Sequence, residues 1–272
     1  PVDSGFATSF KTTMLAVQRY GPGLATSFAK TTTNAANMIE NGLRPLEFGR
    51  RPQVDELFFT ESPERFAEHF RALENDGVGH CTYANHEGVP ERPGVVDYFS
   101  EVTLFRRNHH LVPLSGEAAR GMAWWRARTK RGQYLLCYDC GKSVVRLVDG
   151  ASPSSVHAWT LPRDSGFSRR TALADARMLD VAAVASDAAT MPCVLHYVAC
   201  GSFWLRTKYE ILGNFDDAWF GGALPIAPSF HLDARDAVGA SDSDGLDAFY
   251  ARHVAAPPAD EVARQVAAGV LR

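Results

Sequence analysis

Short apolar segments alternate with segments of helical periodicity along the chain, and this alternation constrains its fold more than any other feature. The strand-like segments are Leu57–Phe59, Val102–Phe105, Gln133–Tyr138, Val144–Val148 and Cys193–Ala199. The helix-like segments are Thr33–Asn41, the residues after Ser62, Leu173–Val184, Leu246–Val254 and the residues from about Asp260 onward, striped by Val262, Val266 and Val270. Strands and helices mixed in this way in 272 residues predict an α/β or α+β layered domain.

The clearest boundary signal is Ser62-Pro63-Glu64. Serine is a favoured N-cap, proline fits the first helical position, and an acid in the first turn complements the helix dipole. Phe66, Phe70 and Leu73 follow at helical spacing. The pattern therefore predicts a helix that begins here and covers one face of a core.

Charge and composition exclude several classes of protein. The formal net charge of -3 argues against non-specific nucleic-acid binding, which needs clustered Lys and Arg, and Arg106-Arg107 is interpreted as solvated surface. No apolar run approaches the roughly 20 residues of a membrane span. Pro1–Phe10 lacks the regions of a signal peptide, and without an initiator Met an upstream segment is expected to be missing.

The five cysteines show neither a disulfide framework nor the spacing of a structural zinc site. Cys137 and Cys140 have the spacing of a redox motif, but they lie in or beside the apolar stretch Tyr134–Tyr138, which predicts a strand, instead of opening a helix. We therefore predict that both are core or strand-end residues.

Asp55-Glu56 is the first of four groups that carry chemistry. Acids beside the apolar run Leu57–Phe59 are costly to bury unless they meet a cation or a donor. Carboxylate oxygens at such a point suit Mg²⁺ or Mn²⁺, particularly with a substrate diphosphate completing the shell. The alternative is a solvated pair at a strand end.

The second group is Asn85-His86-Glu87, at the start of a loop that Pro and Gly residues predict over Glu87–Val95. Glu87 could act as a general base toward a hydroxyl, and loops on a rigid scaffold are where such residues lie. The alternative is a plain surface loop.

The third group is Asp139-Cys140-Gly141-Lys142-Ser143, in which a glycine turn precedes an ammonium and a hydroxyl. This order is typical of an anion-binding corner, although the upstream glycine of a P-loop is absent, and a hairpin turn is the alternative. The fourth group is the isolated histidines His157 and His196. Each is interpreted either as a hydrogen-bonded core residue or as a metal ligand.

These groups occur in a recognisable order. The segments that carry it are VDELFF (54–59), Asn85 with Glu87, FSEVTLFRRN (99–108), YDCGKSVVR (138–146), SSVHAW (154–159), CVLHY (193–197), DAFYARHV (247–254) and the closing AAGVLR. From Asp55 onward the chain resembles plant and algal glycosyltransferase-like proteins related to glycosyltransferase families 2 and 92. In these proteins the motifs that correspond to the first six segments read, in the same order, D-x-D-E-L, N-x-E, F-T-E-V-x-x-F-K-K-N, Y-x-N-G-K-S-A-x-R, G-x-H-R-W and x-L-H-Y.

The resemblance implies a GT-A fold, a Rossmann-like mixed sheet flanked by helices, over residues 53–272. Residues 1–52 are then a poorly defined N-terminal segment that belongs to the nucleotide-binding half. The implied activity transfers a sugar from a nucleotide-sugar donor to a hydroxyl of a saccharide or glycoconjugate. A secretory-pathway location, in the Golgi membrane system, is implied as well.

The resemblance also distributes roles over residues. Asp55 and Glu56 would hold Mn²⁺ or Mg²⁺, with His157 and His196 as late ligands. The donor would contact Asn85, Gly141, Lys142 and Ser143, and the catalytic residues would be Asp55 and, as the general base, Glu87. In such a mechanism the metal neutralises the leaving diphosphate while a carboxylate deprotonates the acceptor hydroxyl.

Two departures from the family pattern leave alternatives open. The first acid of D-x-D is Gln53 here, which removes one charge from the metal shell, and Pro1–Pro52 does not clearly supply the strands that hold a nucleobase. The alternatives are a catalytically degenerate carbohydrate- or nucleotide-binding module and a metal-dependent hydrolase that uses Asp55, His157 and His196.

Overall fold

The computed structural model describes residues 24–26, 55–146, 148–155, 157–173, 187–219, 224–226, 229–240 and 243–272. Its strands are β1 (Leu24–Thr26), β2 (Glu56–Phe59), β3 (Val78–Tyr83), β4 (Asn85–Gly88), β5 (Phe105–Arg106), β6 (Lys142–Arg146), β7 (Ser152–Pro153), β8 (Trp159–Thr160), β9 (Ser168–Thr171), β10 (Cys193–His196), β11 (Ala218–Trp219) and β12 (Leu224–Pro225). Its helices are α1 (Pro63–Asn75), α2 (Tyr98–Glu101), α3 (Gly116–Arg126), α4 (Ser202–Leu212), α5 (Phe230–Gly239), α6 (Ser243–His253) and α7 (Ala259–Ala267), and a 3-10 turn spans His109–Leu111. The mixed α/β class that the sequence predicts is confirmed.

The chain divides into two discontinuous compact units. Unit 1 comprises Pro1–Ala84 and Cys140–Val194, and unit 2 comprises Asn85–Asp139 and Leu195–Arg272. The predicted boundary between residues 52 and 53 lies outside the described residues. No helix among the described residues is both long enough and apolar enough to cross a membrane.

Unit 1 is built on a mixed sheet with the strand order β1-β6-β3-β9. β3 pairs antiparallel with β6 and parallel with β9. Helix α1 begins as predicted, because the Ser62 hydroxyl accepts a hydrogen bond from the backbone N–H of Arg65. Phe66 packs edge-on against Phe58, with 5.5 Å between the ring centres, and the ring centres of Phe58 and Tyr83 of β3 are 4.8 Å apart. The predicted apolar face of α1 is therefore the core face.

Unit 2 holds two clusters of buried apolar side chains, which bring together its two stretches of chain. One is centred on Leu205 of α4 and Tyr250 of α6. The other surrounds Trp125 of α3 and reaches Val270 and Leu271 near the end of the chain. Helix α6 presents Leu246 and Tyr250 to the first cluster, as the spacing predicts.

Several strand and loop predictions are wrong. The segment Val102–Phe105 contributes only Phe105 to β5, and Gln133–Tyr138 forms no strand at all. The loop predicted over Glu87–Val95 begins two residues later than predicted, because Glu87 and Gly88 are the last residues of strand β4. The predicted helices Thr33–Asn41 and, after its first residue, Leu173–Val184 fall outside the described residues. All five cysteines are free thiols, and Cys137 is buried as predicted.

The final helix, α7, buries Gln265, which its valine stripe does not predict, although Val262 of the stripe packs partly buried against the Trp125 cluster and Val270, beyond the helix, is fully buried. Val266 is 46% exposed, whereas Gln265 is 1% exposed. The Gln265 side chain accepts a hydrogen bond of 2.7 Å from the indole N–H of Trp125. One polar contact that hydrophobic periodicity cannot reveal thus helps to orient the helix, beside the apolar packing of Val262.

Replacing Gln265 with leucine is expected to lower the free energy of unfolding by about 1–3 kcal/mol, because the buried Trp125 indole loses its acceptor. Urea denaturation monitored by tryptophan fluorescence would measure the change. The control is Val266→Ala on the same helix, for which a change within about 0.5 kcal/mol is expected at a half-exposed position. Equal effects of the two substitutions would show that the Gln265 contact does not orient the helix.

Candidate active site

In unit 1, the predicted anion-binding lysine and one predicted metal ligand contact each other. Lys142 opens β6 and Glu56 opens β2, and the Lys142 Nζ lies 3.3 Å from Glu56 Oε1. Their side chains are only 9% and 11% exposed. Because two opposite charges are buried together, an anion that displaced the Glu56 carboxylate would find an ammonium already withdrawn from solvent.

His157 belongs to the same cluster. Burial, and after it the nearby Lys142 ammonium, lower the pKa of its imidazole to about 3. The ring is therefore neutral at physiological pH, which is the form in which histidine ligates metals or accepts hydrogen bonds. The structure brings His157 to Lys142, which the sequence places 15 positions earlier.

Gly141 and Ser143 fix the backbone on either side of Lys142. Gly141 has φ of +70°, and a Cβ at this position would lie 2.2 Å from the carbonyl oxygen of Tyr83. The backbone N–H of Ser143 donates to the His157 carbonyl at 3.0 Å, and the Ser143 hydroxyl accepts from the Trp159 N–H at 2.9 Å. If the Ser143 hydroxyl contacted the donor as predicted, that contact would compete with the hydrogen bond from the Trp159 backbone N–H.

Asp55 lies directly before β2 and is half-buried, whereas Gln53 falls outside the described residues. Within the described ranges, no group of three or more His, Cys, Asp or Glu side chains could hold a metal ion. The predicted ligands Asp55, Glu56, His157 and His196 do not form a complete ligand set by themselves. Binding of Mn²⁺ or Mg²⁺ therefore stays a prediction that needs further ligand oxygens.

In unit 2, the predicted polar loop Asn85-His86-Glu87 is the buried strand β4. The three residues are 0%, 1% and 1% exposed. The Glu87 carboxylate accepts from Arg106 Nη2 at 2.5 Å and from the backbone N–H groups of Leu136 and Cys137 at 2.7 and 2.8 Å. A general base must reach the substrate proton. This geometry favours a structural role for Glu87 over the predicted catalytic one.

Two asparagines continue the same pattern. The Asn85 side chain donates to the Tyr138 carbonyl at 2.7 Å, and the Asn108 side chain donates to the Asp139 carbonyl at 2.8 Å and to Asn85 Oδ1 at 3.2 Å. Asn85 was predicted to bind the donor, but its amide holds the backbone instead. We call Asn85, Glu87 and Asn108 the polar brace, because they hold the backbone of residues 136–139.

Arg106 and His86 support the brace, and no site role was predicted for Arg106 or for the brace residue Asn108. Arg106 was predicted to be solvated surface, yet it is 1% exposed and its guanidinium lies 4.3 Å from the centre of the Trp125 ring. His86 Nδ1 accepts from the backbone N–H of Asn108 at 2.9 Å. Burial, and after it the charges of Arg272 and Arg107, lower the pKa of His86 to about 3, so this acceptor stays neutral. The sequence feature that could have indicated them is the polar run Arg106-Arg107-Asn108, which directly follows an apolar segment and was assigned no site role.

The polar brace holds the backbone carbonyls of Tyr138 and Asp139, whose side chains lie in different surroundings. The Tyr138 ring lies 4.9 Å from that of His196, the last residue of β10, which is 4% exposed. Asp139 points outward, with 59% of its side chain exposed, and its Oδ2 lies 3.7 Å from Nδ1 of His109. The predicted ligand His196 is therefore packed against an aromatic ring of unit 2.

A glycosyltransferase-like protein of Arabidopsis thaliana is 30% identical to this chain over 88 residues. The match includes 30% of this chain and 18% of the relative, so the chain spans about a fifth of that protein. No family model matches the chain, and no solved structure matches it. The similarity supports a glycosyltransferase-like relationship for part of the chain.

Proposed function

We propose that the chain transfers a sugar from a nucleotide-sugar donor to a hydroxyl of a saccharide or glycoconjugate, on a GT-A-like scaffold. The observation that carries the proposal is the cluster of Lys142, Glu56 and His157 in unit 1. A buried ammonium beside a carboxylate and a neutral imidazole suits a diphosphate, since the phosphate oxygens can take over the contact that Glu56 makes. The partial similarity to a glycosyltransferase-like protein supports the same class of reaction.

Each residue of the cluster then has a defined part. Lys142 neutralises charge that develops on the leaving diphosphate, which is the form of electrostatic stabilisation that lowers barriers most. Gly141 permits the backbone turn that places Lys142, and Ser143 ties the segment that carries His157 to β6. Because no three possible ligand side chains come together among the described residues, those residues alone do not fit a resident metal. A divalent ion would have to arrive with the donor diphosphate at Asp55.

A second candidate is a non-catalytic module that binds a nucleotide or a carbohydrate. Gln53 in place of the first acid of D-x-D, together with the incomplete ligand set, favours it. Such a module would bind nucleotide without turnover. The third interpretation, a metal-dependent hydrolase, needs several protein ligands on one ion and is not supported by the described residues.

Replacing Lys142 with methionine is expected to weaken the binding of UDP or GDP about 10-fold to 100-fold, because a charged contact worth about 1.5–3 kcal/mol is lost. Calorimetric titration with and without Mn²⁺ measures this, and Lys142→Arg should retain part of the affinity. The control is Lys130→Met, which removes an exposed lysine that pairs with Asp233.

The titrations also separate the candidates. Binding that requires Mn²⁺ and disappears in Asp55→Ala supports the metal-assisted transferase. Binding by the wild type without transfer to any acceptor supports the module. A folded wild-type protein that binds neither nucleotide contradicts the proposed function.

A further inference from the structure

We propose that unit 2 carries a saccharide-binding surface formed by Phe99 of α2 with Phe203 and Trp204 of α4. We call these three side chains the aromatic platform. The ligand is an extended, uncharged oligosaccharide whose sugar rings stack on the platform. The inference goes beyond the proposed function, because it concerns unit 2 alone and describes the holding of a sugar chain instead of the transfer of a sugar.

The platform is the outer part of a connected group of aromatic rings. The ring centre of Trp204 lies 5.0 Å from that of Phe203 and 5.7 Å from that of Tyr98, which it meets edge-on. The ring centre of Tyr98 lies 4.6 Å from that of Phe99. Tyr197 contacts both, with its ring centre 4.9 Å from that of Phe99 and 5.4 Å from that of Tyr98. The rings therefore form one continuous apolar group.

Some rings of this group are buried, and others face solvent. Tyr98 and Tyr197 are 8% and 4% exposed, whereas Phe99 and Phe203 are 44% and 50% exposed. A half-exposed phenylalanine leaves apolar area in contact with water, which burial against a ligand would remove. Single exposed apolar residues are ordinary, but aromatic side chains clustered on one surface indicate a binding site.

The backbone beside the platform is fixed by side-chain hydrogen bonds. The Trp204 indole N–H donates to the carbonyl of Val96 at 3.2 Å, and this bond joins α4 to the residues before α2. Glu101 Oε1 accepts from the backbone N–H groups of Val96 and Asp97 at 3.0 and 2.6 Å. Rings carried by a backbone that is already held in place lose little entropy when a ligand binds.

The size of the platform favours a small ligand over a protein partner. An aromatic side chain offers about 200 Å² of surface, so Phe99 and Phe203 leave roughly 100 Å² each in contact with solvent. A stable protein–protein interface buries about 800 Å² on each partner, which is several times what these two rings supply. Sugar rings stacked on the platform would cover an area of the size that is exposed.

The polar groups beside the platform favour a saccharide among small ligands. A pyranose ring has an apolar face of C–H bonds and a rim of hydroxyl groups, so it needs an aromatic face with donors and acceptors nearby. Glu101 lies two residues after Phe99 and pairs with Arg92, which is 67% exposed. The carboxylate accepts from hydroxyl groups and the guanidinium donates to them. Because the two charges balance, the surroundings do not select a charged ligand.

The exposed rings also indicate the shape of the ligand. Phe99 and Phe203 belong to different helices and are linked through the contacts of Tyr98 and Trp204. A ligand that covers both rings must extend from one helix to the other. A chain of sugar rings with a repeated flat face meets this requirement better than a single sugar.

The test is calorimetric titration of the full chain with cellohexaose, xylohexaose and mannohexaose, three uncharged and extended probes. At least one of them should bind. Phe99→Ala and Phe203→Ala should each raise the Kd for that probe about 3-fold to 10-fold, because one aromatic contact is lost. The affinity for UDP, titrated in parallel, should be unchanged, since the platform does not bind the nucleotide.

Two substitutions of Phe203 separate stacking on a sugar from general apolar contact. Leucine keeps much of the apolar area but has no ring, so Phe203→Leu should weaken saccharide binding about as much as Phe203→Ala. Phe203→Trp should retain the affinity. The matched control is Leu114→Ala, which removes a fully exposed apolar side chain of unit 2 outside the aromatic group and should leave the Kd unchanged. Thermal unfolding of each variant checks that the fold is retained.

Each outcome decides the proposal. Saccharide binding that both alanine substitutions weaken, and that Leu114→Ala leaves unchanged, supports the platform. A folded wild type that binds none of the three probes overturns it, and so does binding that the ring substitutions leave unchanged or that Phe203→Leu preserves. Self-association without saccharide binding, measured by sedimentation and abolished in Phe203→Ala, would make this surface an interface between copies of the chain and would also overturn the proposal. Nucleotide binding and transfer are measured separately, so failure of the platform leaves the proposed function standing.

Discussion

Replacing Arg106 with methionine is expected to lower the free energy of unfolding by about 3–5 kcal/mol, because removing one partner of a buried ion pair leaves the other charge uncompensated. Arg106 and Glu87 are 2% and 1% exposed as side chains. Methionine retains much of the arginine volume but offers no donor to the Glu87 carboxylate, which would then hold only the two backbone N–H groups. Chemical denaturation monitored by circular dichroism measures the loss.

The matched control is Arg92→Met, which breaks an ion pair with Glu101 in which the arginine is 67% exposed. That change should cost no more than about 1 kcal/mol, because exposed pairs are well solvated when they separate. Combining Arg106→Met with Glu87→Leu should cost less than the sum of the two single changes, since the pair is then removed as a unit. An Arg106→Met loss as small as that of Arg92→Met would contradict a stabilising role for the buried pair.

Replacing Gly141 with alanine is expected to destabilise unit 1 by more than about 4 kcal/mol, within the range of exceptional single substitutions. The positive φ of +70° alone costs an L-residue about 1–2 kcal/mol. In addition, the new Cβ would lie 2.2 Å from the Tyr83 carbonyl oxygen, a backbone atom of β3 that cannot rotate away. Because Lys142 follows directly, nucleotide binding should fall with the fold.

Gly132→Ala separates these two causes. Gly132 has nearly the same backbone conformation, with φ of +64°, but no atom outside its neighbours lies within 4 Å of the added Cβ. Alanine there should therefore cost only the conformational strain of about 1–2 kcal/mol. Equal losses for the two substitutions, measured by thermal unfolding, would show that the contact with Tyr83 carries no energy.

Local signals predicted α1, α6 and α7, whereas α2, α3, α4 and α5 were not predicted. Ser62 caps α1 because its hydroxyl reaches the Arg65 N–H, a contact that depends only on residues three positions apart. The apolar spacing of Leu246 and Tyr250 likewise identified the buried face of α6. Such features are set within a few turns of chain, so a pattern in the sequence is enough to find them.

The strand-like segment Gln133–Tyr138 shows where local pattern fails. Its apolar residues are buried, as their composition indicates, but the N–H groups of Leu136 and Cys137 bond to the Glu87 carboxylate instead of to a neighbouring strand. The partner is 49 and 50 residues away in the sequence. A local pattern cannot predict that a distant side chain will accept the hydrogen bonds that a neighbouring strand would otherwise accept. The error therefore has a physical cause.

Some residues of the candidate site could be predicted from residue type, and others could not, because their roles depend on tertiary contacts. Lys142, Gly141 and His157 were singled out by residue type, and the structure brings them together with Glu56. Glu87 was selected because a carboxylate in a polar run is a plausible base, but burial depends on tertiary contacts with Arg106 that the sequence does not display. Asn108 was missed because its importance lies in the backbone groups and side chains that it contacts.

Residues 270–272 pair with β5. The backbone groups of Phe105 exchange hydrogen bonds of 2.9 and 3.0 Å with Arg272, and the Arg107 N–H donates to Val270 at 2.9 Å. A nascent chain emerging from the ribosome would hold β4 and β5 long before residues 270–272 were synthesised. Until then the outer edge of β5 would present open hydrogen-bonding groups, and an exposed strand edge is a template for association with other chains. Synthesis of residues 270–272 therefore protects an early part of unit 2.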